Sequence, residues 1–204
     1  MHILLYILIW AAILFLPNRL LTNEYYHEYL GLTFLLLGGI HLLLVRRYLK
    51  ALVTLRLRVT ALNIVNVTML TLLVLVIVTG ILISLYAAPV IRLRGLTSIY
   101  VHGTHMAAAV IFYLIVGIHA GFHWRAIWNG TLRRLSLRLP PILTRLFNAC
   151  GVLIIIAGLH AFVTTHIYEK ILFEHMSFGG LLGTWEYQLD LLLIFVACMS
   201  CSYF

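Results

Sequence analysis

The chain is apolar, and its ten histidines are the residues whose type and spacing carry chemistry. Four of them fall in one stretch, Tyr100 to Arg125, YVHGTHMAAAVIFYLIVGIHAGFHWR, which is otherwise apolar for most of its length. At 1.5 Å per residue a helix of this length crosses a hydrocarbon core of about 30 Å, and ionisable side chains at that depth are rare and usually functional. His105 and His119 stand 14 residues apart. At 100° per residue they fall about 40° short of four full turns, so both rings leave one face, about 21 Å apart along the axis. The earlier stretch YHEYLGLTFLLLGGIHLLLVRR repeats the device, with His27 and His41 also 14 residues apart. Imidazole is a ligand for haem iron. Two such helices are suited to clamp two flat macrocycles stacked across a bilayer, each iron taking one histidine from each helix.

The elements that must position these rings follow from composition. Of 204 residues, 63% are hydrophobic and 10% charged, outside the balance of a soluble domain. The apolar runs are long and lack a period of two, which argues for helices and against a β-barrel. An all-α integral membrane protein of about six helices is expected, the whole chain forming a single transmembrane domain. A first helix covers residues 2 to 16, ended by Pro17 and Asn18. It has no basic n-region and no clear small-residue cleavage site, so a retained helix is expected and not a signal peptide. A polar loop with Arg19, Glu24 and Glu28 follows. The helices that carry the ligands are expected at about 26–48 and 96–127, with others at about 60–86 and 146–168. A polar segment leads to a last apolar run, which is short for a full span and lacks a basic flank.

Orientation comes from charge. Ten of the fourteen Lys and Arg lie after the second and fourth helices: Arg46, Arg47, Lys50, Arg56 and Arg58, then Arg125, Arg133, Arg134, Arg138 and Arg145. All six acids, Glu24, Glu28, Glu169, Glu174, Glu186 and Asp190, fall on the other side. The positive-inside rule makes those two basic loops cytoplasmic, in an inner membrane. The net charge of +8 reads as topology and affinity for anionic lipid headgroups, not as nucleic-acid binding. With one helix between them, the two ligand helices run parallel. His41 precedes Arg46 by five residues and His119 precedes Arg125 by six, so these two histidines share a depth. The expected pairs are His27 with His105 outside and His41 with His119 inside.

Two further histidines keep alternatives open. His123, one turn below His119 and beside Trp124, is an alternative inner ligand or a partner for a haem propionate. His102 poses the same question beside His105. Arg46, Arg47 and Arg125 inside, and Arg92 and Arg94 outside, stand where propionates would emerge, a pairing that arginine favours; snorkelling at the interface is the plain alternative. Gly31, Gly38, Gly39, Gly103, Gly117 and Gly121 would let a porphyrin approach the backbone, or serve helix packing. His160, His166 and His175, with Glu169 and Glu174, are candidates for quinol deprotonation, for a further haem, or for ordinary polar loop positions. Cys198 and Cys201 form a CxxC followed by Ser202 where covalent haem attachment needs His.

At these residues the chain resembles the membrane cytochrome b subunits of respiratory chains, in which two helices each carry two haem-ligating histidines about four turns apart. The stretch IYVHGTHMAAAVIFYLIVGIHAGFHW looks more closely like a family of small bacterial and archaeal haem-binding membrane proteins of nominally unknown function, marked by a histidine near the helix start and a closing HxxxHW, here His119 to Trp124. The resemblance covers about half the chain, from Tyr26 to Ile127. It implies a subunit with two b-type haems that passes electrons between a quinone pool and a partner oxidoreductase bearing flavin or an iron–sulfur cluster. The chain has no Gly-rich phosphate loop and no iron–sulfur cysteine run, so it needs such a partner. The quinone is expected near the outer haem, beneath residues 166–190. A ferric-reductase-like domain serving an external acceptor is the enzymatic alternative, and a haem-free metal or proton transporter the third.

Overall fold

A computed structural model describes residues 2–54, 58–136, 140–174 and 183–203. Arg56, Arg138 and His175 lie outside these residues, as does the side chain of Arg125. The described residues are helical, in the order α1 (His2–Phe15), α2 (Arg19–Leu44), α3 (Arg46–Val53), α4 (Ala61–Ile83), α5 (Leu96–Arg134), α6 (Pro141–Thr164), α7 (Ile167–Ile171) and α8 (Thr184–Tyr203). Helices α2, α4, α5 and α6 are long and apolar enough to cross a membrane. The sequence suggested about six helices; eight are present among the described residues, because α3 and α7 form short pieces of 8 and 5 residues.

Local chemistry sets the boundaries. Pro17 stops α1, and Asn18 caps α2 by accepting from the Leu21 amide at 3.3 Å. The expected polar loop at Arg19 to Glu28 is therefore helical. Asn23 interrupts it with a non-helical backbone at φ 45° and ψ −177°, and its side chain recaps the chain by accepting from the Tyr26 amide. Thr60 caps α4 through the Asn63 amide, and Pro141 opens α6, where a missing N–H costs nothing.

The packed centre is α5 against α4 and α8, with α6 on the far side of α8. Tyr113 is buried there, its hydroxyl donating to the Leu191 carbonyl at 2.8 Å and its ring 5.1 Å from that of Phe195. Added Cβ atoms identify what the α5 glycines do. Gly117 faces Cys198 and the Phe195 carbonyl, Gly121 faces Ser202 and the Met199 backbone, and Gly103 faces the Phe173 ring. Gly117 and Gly121 thus face α8, where small residues let membrane helices close on each other, and Gly103 faces the turn after α7.

Helix α2 behaves differently. Its close neighbour is α1, which runs back along it, so that Tyr6 meets His41 with ring centres 5.7 Å apart. From α4 and α5 it stands off by the length of side chains. Leu36 and Leu43 on α2 and Leu153 and Leu159 on α6 point outward and exposed, as faces turned to lipid would.

Candidate functional site

His27 and His105 meet across the gap between α2 and α5, with ring centres 6.3 Å apart and planes at 83°. Each ring is oriented by a backbone carbonyl. Because Pro17 follows it, the Leu16 carbonyl at the end of α1 is left without a helical partner, and it takes the His27 Nδ1 at 3.1 Å. His105 Nδ1 lies 3.0 Å from the Val76 carbonyl and 3.2 Å from Thr79 Oγ1. The Val76 carbonyl is reachable because the residue one turn on is Gly80, whose absent side chain leaves room for the imidazole; a Cβ there would stand 3.0 Å from His105 Cε1. A carbonyl only accepts, so both rings carry hydrogen on Nδ1 and keep the Nε2 lone pair. Two imidazoles on one iron need two metal–nitrogen bonds of about 2 Å plus about 1 Å from each nitrogen to its ring centre, about 6 Å in all. The 6.3 Å between the two ring centres matches that length.

The next residue anchors the pair. Glu28 accepts from Ser84 Oγ at 2.7 Å and from the Leu85, Tyr86 and Ala87 amides at 2.7, 2.9 and 2.9 Å. This carboxylate, expected in a loop, ties α2 to the turn that ends α4. On the α1 side Asn18, fully buried, donates to the Thr184 carbonyl and to Gln188 Oε1, both at 3.1 Å. Gln188 in turn donates to the Leu14 carbonyl at 2.9 Å. The turn before His27 is thus fixed to α8.

Around the pair lies a cavity of about 330 Å³, lined at its polar end by Arg19, Glu24, Arg92, His102 and Lys170. Gly31 and Gly80 line its apolar walls. His102 therefore shares the cavity with His105, on the same helix. Arg92 reaches the lining, as its sequence position suggested, whereas the exposed Arg94 does not. Arg19 pairs with Glu24 at 2.8 Å. Lys170 and Tyr187 were not singled out by the sequence. Lys170 is buried, bonded to the Tyr187 hydroxyl at 3.0 Å, and only its place one turn beyond His166 in a polar segment hinted at it.

Seven residues along both helices, Phe34 and Phe112 meet with ring centres 6.0 Å apart. Seven more lead to His41 and His119. The constant offset means that α2 and α5 run parallel and in register through the first two levels, as the histidine spacing required. At the third level His119 Nδ1 lies 2.8 Å from Asn66 Oδ1, and its ring centre is 4.6 Å from that of the exposed His123. His41 Nδ1 is buried without a hydrogen-bond partner. Arg46, at the start of α3, is exposed at this same end of the bundle, and Arg125 belongs to the α5 backbone there.

Among the described residues, His160, His166, Glu169 and Glu174 do not line the cavity. His160 is exposed on α6, and His166 pairs with Glu169 at 2.9 Å on the exterior; from that segment Ile167, Lys170 and Tyr187 line the cavity instead. Among the described residues no three His, Cys, Asp or Glu side chains cluster as a metal site, whereas haem ligation asks for only two. Compared with family models, with curated proteins and with solved structures, the chain finds no match in any of the three.

Proposed function

We propose that the chain is a membrane cytochrome b subunit that holds two b-type haems, one between His27 and His105 and one between His41 and His119. The observation that carries this reading is the His27–His105 pair: two imidazoles 6.3 Å apart between centres, each tied through Nδ1 to a backbone carbonyl, on opposite walls of a cavity. An acceptor on the far nitrogen orients a metal-ligating histidine and raises its basicity.

Bound haem supplies one-electron chemistry at each level. The chain's part is to set the levels. Its two ligand pairs lie about 21 Å apart along the helices, with the Phe34–Phe112 pair midway between them. At the His27 end, Arg92 on the cavity lining offers a cation to a propionate. At the other end Arg46 and Arg125 have the matching sequence position. The resemblance extends the reading to transfer between a quinone pool and a partner oxidoreductase with flavin or iron–sulfur centres, in an inner membrane with the basic loops cytoplasmic. The cavity's ionisable rim, Glu24, His102 and Lys170, favours quinone chemistry at the His27 end.

The test is a reduced-minus-oxidised spectrum and haem determination on chain purified from haem-replete cells. Low-spin, six-coordinate b-type bands at about two haems per chain are expected. A haem-free chain overturns the reading.

A further inference from the structure

The end of the bundle that holds His119 contains a line of polar side chains that starts at the exposed Arg58 and runs to half-buried Asn66. Asn63 Nδ2 donates to the Arg58 carbonyl at 2.7 Å. The Tyr48 hydroxyl donates to Asn63 Oδ1 at 2.6 Å, and Asn66 Nδ2 donates to the Tyr48 hydroxyl at 2.6 Å. Asn66 Oδ1 then stands 2.8 Å from His119 Nδ1. The direction of every bond in this line is forced from one end. A backbone carbonyl accepts only, so the NH₂ of Asn63 must face Arg58 and its oxygen must face Tyr48. That oxygen takes the hydroxyl hydrogen. The tyrosine oxygen is left to accept, which turns the NH₂ of Asn66 toward it and the Asn66 oxygen toward His119. His119 must therefore donate from Nδ1.

We infer that Asn66 is a positioning residue: held by Tyr48, it fixes His119 as the Nδ1–H tautomer and sets how strongly its Nε2 donates to a metal. The inference rests on the haem reading for its redox consequence, but not for its tautomer. The two ends of the bundle differ here. His27 and His105 lean on backbone carbonyls, which no side chain replaces, and His41 Nδ1 has no partner. At the His41–His119 level, the strength of the ligand set is thus governed by one side-chain amide. An acceptor on Nδ1 makes the imidazole electron-rich and favours ferric over ferrous iron.

Two variants test it. Asn66→Leu removes the acceptor, and Tyr48→Phe keeps the acceptor but releases its orientation. In haem-free chain with ¹⁵N-labelled histidine, the His119 resonances are expected to report Nδ1–H in the parent and a mixture of both tautomers in each variant. In the haem-loaded chain, Asn66→Leu is expected to raise the reduced-to-oxidised ratio of one haem about tenfold at fixed ambient potential, about 59 mV for a one-electron couple, with the other haem unmoved. Parent-like tautomers in both variants overturn the inference. So does a parent-like ratio for both haems in Asn66→Leu. Absence of haem from the parent instead overturns the functional reading, and the tautomer measurement still decides the role of Asn66.

Discussion

Replacing Gly80 with alanine perturbs the ring of His105 at a limited cost to the fold. A Cβ at this position stands 3.0 Å from His105 Cε1 and 3.4 Å from Nδ1, inside the 3.5–4.0 Å at which carbon atoms rest. The ring must retreat by about 0.5 Å, which carries the 3.0 Å bond from Nδ1 to the Val76 carbonyl to the edge of hydrogen bonding. Losing that bond costs about 1 kcal/mol and the overpacking about 1–3 kcal/mol. Alanine in a helix interior returns about 1 kcal/mol relative to glycine. The chain is therefore expected to be about 1–3 kcal/mol less stable than the parent, while haem at the His27–His105 level is expected to bind about tenfold more weakly, the usual loss when a partner that orients a metal-ligating histidine is removed. Haem determination per chain during titration with hemin, beside a thermal melt of the haem-free chain, reads the two effects separately. Parent-like affinity and spectrum at both levels in Gly80→Ala would refute the argument that Gly80 makes room for the imidazole.

Substituting His27 or His105 with alanine is expected to remove one haem and spare the other, and His41→Ala or His119→Ala to do the reverse, as read by haem content and spectrum. Loss of a haem in His123→Ala with both retained in His119→Ala would move the assignment one turn along α5. Glu28→Gln puts an amide against four donors that now share a carboxylate; at about 1 kcal/mol or less per weakened bond the loss is about 2–3 kcal/mol, and an unchanged melting midpoint would show that the clamp is idle. Gly121→Val drives a side chain into the Met199 backbone and is expected to cost about 3 kcal/mol, whereas Gly38→Ala, which meets nothing within 4 Å in the interior of α2, is expected to gain up to about 1 kcal/mol and to melt no lower than the parent.

Much of this arrangement is legible in the sequence because it depends on period alone. Apolar runs give the long helices, and the 14-residue spacing gives levels that the structure repeats at His27 with His105 and at Phe34 with Phe112. What escaped was decided by partners distant in the chain. The α5 glycines look the same in sequence whether a macrocycle or α8 lies opposite, and only the contacts to Phe195, Met199 and Ser202 distinguish the two. Glu28 reads as a loop acid until the bare amides of residues 85 to 87 come round to it. The acceptors for His27 and His105 are carbonyls of Leu16 and Val76, and a backbone atom leaves no mark on residue identity. Asn66 did leave a mark, as one of two amides a turn apart in an apolar helix, and its role appears only once α3 brings Tyr48 between them.

The line from Arg58 through Asn63, Tyr48 and Asn66 to His119 also has a meaning for protons. A hydroxyl can pass a hydrogen on, but an amide can do so only by giving up its own character, since its NH₂ donates without ionising and its oxygen accepts without becoming an acid. Tyr48 sits between two such amides. The line is therefore a strut and an insulator: it holds an imidazole in place while offering no relay from the surface to it. The opposite end of the bundle is built the other way, with the ionisable side chains of Glu24, His102 and Lys170 on the wall of one cavity. No proton relay therefore reaches His119 along this line, and the ionisable side chains on the cavity wall belong to the end where His27 stands.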